Sequence, residues 1–314
     1  MSKLRITVAV ITYNRARFLR ETLAALARQD IPASEWELLV IDNNSTDDTA
    51  QVVTSGGTSQ PPPRHIVETK QGLDHGRNRA VAEAQGEVVV LVDDDILMEP
   101  DWLARLTEPF TSPAGDRIGV VGGEVIPVFP DGLPRWLERA HRPLGFRPDA
   151  GPLPPGQSPM GANFAFPKAV LDRLGGFDTV LDRQGSALFG GGDTEMIRRV
   201  RTAGLEVWFA PAAAVRHQMP ASRLTMAYAL RHAFDSARSR IVDGVRTRRA
   251  AGQSAFPFLL SRAAGAALKL LGYLLVTFLA AVAFQGAAAR RARVRAWRSC
   301  GYLYQIARSA AGKI

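Results

Sequence analysis

Asp93, Asp94 and Asp95 stand in a row directly after an unbroken apolar run, Val88–Val92, within the stretch GEVVVLVDDDILM at Gly86–Met98. Three adjacent carboxylates repel one another unless something positive sits among them. Two like charges ~4 Å apart cost roughly 4 kcal/mol at an effective dielectric of about 20. In an extended segment residues i and i+2 point the same way, so Asp93 and Asp95 can converge on one ligand. A hard divalent cation, Mg2+ or Mn2+, holding a phosphorylated substrate is one chemistry that suits the pattern. A solvated acidic turn is the other. A second stretch, FGGGDTEMIRR at Phe189–Arg199, sets three glycines before Asp193, Thr194 and Glu195. Glycines of this kind let a backbone approach a ligand closely. A third, VIDNNSTDDT at Val40–Thr49, places Asp42 at the end of another apolar run.

These groups need elements to carry them. The valine run reads as a parallel strand covered on both faces, and open parallel sheets bind ligands beyond the C-terminal ends of their strands. Leu4–Ile11, Trp36–Ile41 and His65–Glu68 read as further strands. Helical spacing predicts a helix over Arg17–Arg28, a short one after Asp48, and another from Gly72–Gly76 to Gly86 carrying Arg77, Asn78 and Arg79. The alternation predicts an α/β fold, a mostly parallel sheet with helices on both faces. After Pro100 come a helix to about Phe110, a strand near Arg117–Val121 and a Pro/Gly-rich loop from Pro127 to Pro159. A strand at Gly161–Phe166 and a short helix at Lys168–Leu174 follow. Then come a helix opened by Asp193, a strand at Leu205–Phe209 and, after it, His217.

The chain has 314 residues, 46% of them hydrophobic, enough for one large α/β domain or two small ones. A single cysteine, Cys300, excludes an internal disulfide and argues against a zinc–thiolate site. The N-terminal MSKLRITVAVITYN is too short and strand-like for a signal peptide, so a cytosolic catalytic face is expected. Charge is divided unevenly. Residues 216–314 hold 17 basic residues against two acidic ones, a net +15, while residues 1–215 hold 22 against 28, a net −6. A basic tail on an acidic body predicts an anionic surface as partner.

In this order and spacing, ITYNR at Ile11–Arg15, VIDNNSTDDT at Val40–Thr49, VDDD at Val92–Asp95 and GGGDTE at Gly190–Glu195 resemble a family 2 glycosyltransferase of the GT-A fold. GLDHGRN at Gly72–Asn78 is similar to the family's segment between the second and central strands. The resemblance covers about Leu4 to Gln218. It implies that Thr12 and Tyr13 line a nucleobase pocket, that Asp42 accepts a hydrogen bond from the base, and that Arg77 lies near the diphosphate. It places Asp93 at the ribose and Asp95 on the metal bridging both phosphates, with His217 completing the metal site or touching the phosphates. Asp193 matches the family's catalytic base, which takes the proton from an acceptor hydroxyl; one displacement then inverts the anomeric centre. Each residue has a plainer reading beside this. Asp193 can be an N-cap, Asp42 a turn cap, Arg77 part of a solvated helix face, and His217 structural. Asn163 reads either as a substrate contact or as turn chemistry.

The sequence departs from the family at one point: the usual Glu-Asp pair is here Gly192-Asp193. If Glu195 shares the glutamate's role, little is lost; otherwise acceptor binding or the identity of the base is affected. The division expected from the resemblance is a nucleotide-sugar half over 1–110, an acceptor half over 111–220 and a basic helical tail over 221–314. Two functions follow. One is an inverting, metal-dependent transfer of a sugar from a nucleotide-diphospho-sugar to a hydroxyl acceptor, lipid-linked, in surface polysaccharide or glycolipid synthesis. The other is a non-catalytic scaffold of the same fold. A sugar-phosphate nucleotidyltransferase would need a glycine-rich phosphate loop after the first strand, and ITYNR is not one.

In the tail, Ser222–Ile241 reads as an amphipathic helix, and Leu270–Ala289 has no charged residue over 20 positions, the length of a membrane span. Arg290, Arg291, Arg293, Arg295, Arg298 and Arg308 follow it, against Arg249, Arg262 and Lys269 before. The positive-inside rule would hold the tail in the cytoplasm and push the body out, which conflicts with the cytosolic location of nucleotide sugars. A re-entrant or interfacial hairpin on the cytoplasmic face of the membrane is the expectation, with Trp297, Tyr302 and Tyr304 near the headgroups and arginines on anionic lipid. The alternative is a helical pair packed on the body or on a second copy, making a homo-oligomer. Basic residues interleaved with long apolar runs, without a recognisable nucleic-acid module, argue against nucleic acid as partner.

Overall fold

The computed structural model describes residues 5–55, 60–130, 132–137, 149–182 and 188–312. Its contacts divide the chain into two compact units. The first comprises Met1–Val128, Pro143–Thr179 and Gly192–Gln218, and the second Phe129–Arg142, Val180–Gly191 and Met219–Ile314. Much of the expected Pro/Gly-rich loop, residues 131 and 138–148, lies outside the described residues.

The first unit is built on one mixed sheet. Its strands are β1 (Ile6–Thr12), β2 (Trp36–Asp42), β3 (Pro63–Val67), β4 (Val88–Asp93), β5 (Ile96–Met98), β6 (Ile118–Val128), β7 (Gly151–Pro152), β8 (Asn163–Pro167) and β9 (Glu206–Gln218). They are ordered β3-β2-β1-β4-β8-β6-β9-β5, with β7 on β9. From β3 to β4 every pairing is parallel, as the strand–helix alternation requires. At β4 the direction reverses: β8 runs antiparallel, pairing Val92 with Asn163. The valine run is the strand at this seam. Successive side chains of a strand face opposite ways, so Ile6, Val8 and Val10 of β1 enter one apolar layer and Ala9 and Ile11 the other. Helices α1 (Ala16–Leu26), α2 (Thr49–Ser55) and α4 (Trp102–Thr107) cover the first layer. Helices α3 (Leu73–Glu83), α5 (Lys168–Leu174) and α6 (Gly192–Thr202) cover the second.

β9 is much longer than its apolar start suggests. Proline cannot donate to a ladder, and Pro211 reads as a strand end. The structure instead bulges: Gly123 of β6 pairs with Ala210, Val125 pairs with Val215, and β9 resumes beyond the proline. The resumed part pairs antiparallel with β5, with His217 opposite Ile96.

The second unit holds three long helices, α7 (Met226–Ala250), α8 (Phe256–Val282) and α9 (Gly286–Ala310). α8 is long and apolar enough to cross a membrane. The uncharged run Leu270–Ala289 is not one span, however. α8 stops at Val282, Phe284 takes a left-handed φ of 54°, and Gln285 N–H donates to the Ala280 carbonyl, 2.8 Å away, closing the helix. α9 then runs back along α8, which brings Arg295 over the Tyr273 ring. Leu259 of α8 packs with Ile241 and Val245 of α7, and Tyr302 and Ile306 of α9 pack against the same cluster.

Candidate active site

Asp93 ends β4, and the chain turns through Asp94 and Asp95 into β5. α1 grips this turn: the Thr22 hydroxyl lies 2.9 Å from the carbonyls of Asp94 and Ile96. The β5–β9 pairing then delivers His217. Its Nε2 is 3.0 Å from Asp95 Oδ1 and 3.9 Å from Asp93 Oδ2. One ligand atom from each of Asp93, Asp95 and His217 lies within 4.8 Å of the others. Asp93 and Asp95 do converge, but the turn after β4 brings them together and not the alternation of an extended strand. Asp95 and His217 are buried, whereas Asp93 is partly open to solvent. His217 Nε2 is buried and not aligned for any hydrogen bond among the described residues.

Asp94 points elsewhere. It accepts hydrogen bonds from the Thr12 hydroxyl at 2.7 Å and from Arg15 Nη1 at 2.8 Å, and the same Nη1 donates to Asp95 Oδ2 at 2.7 Å. Burial pushes the Asp94 carboxyl up to about 6, against the pull of Arg15 and with the help of Asp95. Burial also works against the Arg15 charge, yet the two aspartates outweigh it and raise its pKa. Arg15 is thus the internal counter-charge of the acidic turn. Thr12 is buried and its hydroxyl orients Asp94. Tyr13 beside it is exposed. Next comes Asn14, left-handed at φ 53°, whose Oδ1 accepts from Thr46 N–H at 2.7 Å and so ties this loop to the one after β2.

Asp42, at the end of β2, is buried. Its Oδ1 caps the turn by accepting from Ser45 N–H at 2.8 Å, and Oδ2 faces His65 Nε2 at 3.2 Å. The turn-cap reading is therefore realised, with a histidine on β3 as an added neighbour.

Arg77 is not on a solvated face. It is buried, donates to Asp74 Oδ1 at 2.8 Å and to the Gly161 carbonyl at 3.2 Å, and lies over the rings of Phe164 and Phe177. Burial disfavours its charge, but Asp74, Asp193 and Asp93, in that order, outweigh the effect and raise its pKa. One buried guanidinium thus feels both the end of β4 and the start of α6. Gly161 marks the same junction: a Cβ there would come within 2.8 Å of both Arg77 Nη2 and Asp193 Oδ2.

Asp193 is the second residue of α6, and its Oδ1 lies 2.8 Å from the N–H of the next residue, Thr194, so it stands inside the first turn and not at the N-cap that the plainer reading gave it. Gly192 has a physical reason to be glycine. A Cβ on it would overlap the Asp74 carboxylate. The space that a side chain at 192 would need is filled by an acid from α3. Glu195 does not stand in for the missing glutamate, because Arg199 Nε holds both its oxygens, at 3.0 and 2.8 Å, and Arg198 pairs with it at 3.3 Å. Asn163 faces no open site either. Fully buried, its amide donates to the carbonyls of Glu124 and Ala213 at 3.1 and 2.8 Å and accepts from Trp102 Nε1 at 3.1 Å. It pins three elements rather than a turn.

Sequence reasoning missed Arg15, Asp74 and His65. Arg15 and Asp74 both lie inside the matched motifs, and each carries the charge opposite to its partner's, which was the available signal.

The family described as Glycosyl transferase family 2 matches residues 7–175. The chain is 24% identical over 191 residues to the glucosyl-dolichyl phosphate glucuronosyltransferase of Haloferax volcanii, covering 58% of this chain and 58% of that protein. It therefore spans just over half the length of this relative. Among solved structures it is similar to the mannosyltransferase PcManGT from Pyrobaculum calidifontis in complex with GDP-Man and Mn2+, at TM-score 0.60 and 22% identity, over 99% of this chain and 76% of that one. It is also similar to S. aureus TarS 1-349 in complex with UDP, at TM-score 0.55 and 19% identity, over 98% and 92%. At these identities the likeness carries the fold, a mixed α/β sheet flanked by helices.

Proposed function

This chain belongs to glycosyl transferase family 2, and on that footing we propose that it moves a sugar from a nucleotide-diphospho-sugar to a hydroxyl acceptor with inversion at the anomeric carbon. The observation that carries the reading is the shared surroundings of Arg77, which draw Asp193 and the Asp93 end of β4 around one guanidinium. In this reading Asp193 takes the acceptor's proton as its oxygen attacks. Tyr13, exposed at the end of β1, offers a ring for the base to stack on. Asp93 faces the ribose, and Asp42, already capping its turn, borders the base. Arg77 acts from below, holding Asp74 and Asp193 in place more than touching the diphosphate.

Asp93, Asp95 and His217 suit a divalent cation. The buried His217 nitrogen without a hydrogen bond points at two carboxylates. Two carboxylate oxygens suit Mg2+ or Mn2+, and the imidazole favours the softer Mn2+. When bound, such an ion would stabilise charge on the departing diphosphate. The chain's own part is to hold these three groups together through the β4–β5 turn and the resumed part of β9.

The proposed acceptor is lipid-linked and the proposed location is the cytoplasmic face of the membrane. The apolar α8 supports attachment, and the dolichyl phosphate in the name of the relative from Haloferax volcanii supports a lipid phosphate. The attachment is interfacial. α9 is bound along α8, so a full crossing by α8 would carry Arg290, Arg291, Arg293, Arg295 and Arg298 into hydrocarbon, at about 3 kcal/mol or more each near the bilayer centre.

The test is release of nucleoside diphosphate from a panel of nucleotide-sugars by the purified chain, with a glycosylated polyprenyl phosphate whose sugar supplies the acceptor hydroxyl, and with or without Mn2+. Acceptor-dependent release supports transfer. Nucleotide binding without any turnover supports the scaffold instead.

A further inference from the structure

A pocket of about 350 Å³ opens among the three helices of the second unit, and its wall is cationic. Arg240 of α7, Arg262 and Lys269 of α8, and Arg295 and Arg298 of α9 line it, and no carboxylate is among the lining residues. Among the described residues none of the five forms an ion pair. Their neighbours are neutral: Arg240 donates to the Tyr302 hydroxyl at 3.2 Å, while Arg262 and Arg295 lie over the rings of Phe258 and Tyr273. α7 carries two acids, neither of which lines the pocket: Asp235 is taken by Arg238 at 3.0 Å, and Asp243 Oδ1 lies 3.5 Å from the Thr247 hydroxyl. Five like charges around so small a volume repel one another, and an anion among them removes the repulsion. Guanidinium forks suit phosphate oxygens in particular, and the hydroxyls of Ser261 and Tyr273 supply further donors.

The chemistry is that of a phosphate ester, and the surface beside the pocket says which kind. Beyond Lys269, the same flank of α8 carries Val276 and, a little further round the helix, Leu279 and Leu275, each about half open. The distance from Lys269 to Leu279 is about 15 Å at 1.5 Å per residue, comparable with the ~15 Å hydrocarbon depth of one leaflet. A cationic pocket that continues into an apolar surface of that length matches an amphiphile with an anionic head. We infer that this pocket binds the headgroup phosphate of an anionic lipid, with the chains along α8. The inference deepens the proposed membrane attachment and rests on it.

The experiment is flotation of the full chain with vesicles of phosphatidylcholine alone and with about a third phosphatidylglycerol, at fixed ionic strength. The wild type should partition at least about tenfold more strongly into the anionic vesicles. Three variants locate the effect. Lys269→Glu with Arg298→Glu should abolish the preference, while Arg249→Glu with Arg308→Glu, which alters the same net charge outside the pocket, should largely keep it. Gly265→Phe changes no charge but fills the pocket, where a side chain meets nothing within 4 Å, and it should lose the preference as well. Replacing a helical glycine favours the helix, and unfolding midpoints check that all three fold. Equal losses in both charge pairs, or a Gly265→Phe chain that behaves as wild type, overturn the pocket and leave diffuse attraction. Equal binding to both vesicle types overturns the pocket but keeps apolar attachment, and binding to neither overturns attachment itself. A thermal shift with inorganic phosphate that the pocket variants abolish, without any vesicle preference, assigns the site to free phosphate and overturns the lipid.

Discussion

Placing a side chain at Gly192 should be damaging unless Asp74 is shortened at the same time. The Cβ of Gly192→Glu would occupy the space of the Asp74 carboxylate, and overpacking of this kind costs about 1–3 kcal/mol. Displacing Asp74 also strands Arg77, with which it pairs at 2.8 Å, both side chains being 6% exposed or less. Breaking one side of a buried ion pair costs about 3–5 kcal/mol. Asp74→Gly alone strands Arg77 in the same way. Each single change should therefore lower the unfolding free energy by about 3 kcal/mol, more than a hundredfold in the folding equilibrium. In the double variant the glutamate at 192 enters the vacated space and returns a carboxylate to Arg77. The coupling should be at least about 2 kcal/mol, within the range that contacting residues show. Equilibrium urea unfolding measures it, with an unchanged slope required for the comparison, and acceptor-dependent nucleoside diphosphate release should recover in parallel. Strictly additive losses, with coupling below about 0.5 kcal/mol, would refute the claim that Asp74 holds the place of the missing glutamate.

Three further outcomes are expected. Asp193→Asn should slow transfer by about 10²- to 10⁴-fold while the donor dissociation constant, by titration calorimetry, stays near wild type; normal turnover would remove Asp193 as the base. Asn163→Ala should cost about 2–4 kcal/mol, because it orphans the Trp102 indole N–H and two buried carbonyls, and KM for the acceptor in the surviving enzyme should not move. Asp94 keeps a proton in the native state up to about pH 6 but loses it near 3.8 when unfolded. The native chain binds the extra proton in that window, so this group's contribution to stability falls as pH rises through it. The difference in unfolding free energy between wild type and Asp94→Asn, measured from pH 4 to 7, should change in that window and level off above it.

The parallel half of the fold was readable because each buried strand is a short run of Val, Ile and Leu closed by polar residues. The acidic turn was readable because charge directly follows such a run. Spacing could not show which carboxylates are already spent. Asp94, Asp74 and Glu195 look like equals of Asp93 and Asp193 in the sequence, and only the placement of Arg15, Arg77 and Arg199 separates them. Asn163 was ambiguous for a similar reason, since its partners come from Trp102, Glu124 and Ala213, far off in the chain. The end of β9 was hidden by Pro211, because a bulge repairs the ladder that a proline interrupts. In the tail, uniform apolarity concealed the turn at Phe284, where the backbone and not the side-chain pattern ends the helix.

The Arg15 bridge has a consequence for charge balance. Asp93, Asp94 and Asp95 bring three negative charges at neutral pH and Arg15 returns one positive charge, leaving −2 at the end of β4. A single divalent ion cancels that remainder, while a monovalent one leaves it half uncompensated. On the function proposed above, preference for a doubly charged metal is set by an arginine that need never touch it, and a chain lacking that arginine would hold a bare ion more tightly and have less positive charge left over for the diphosphate.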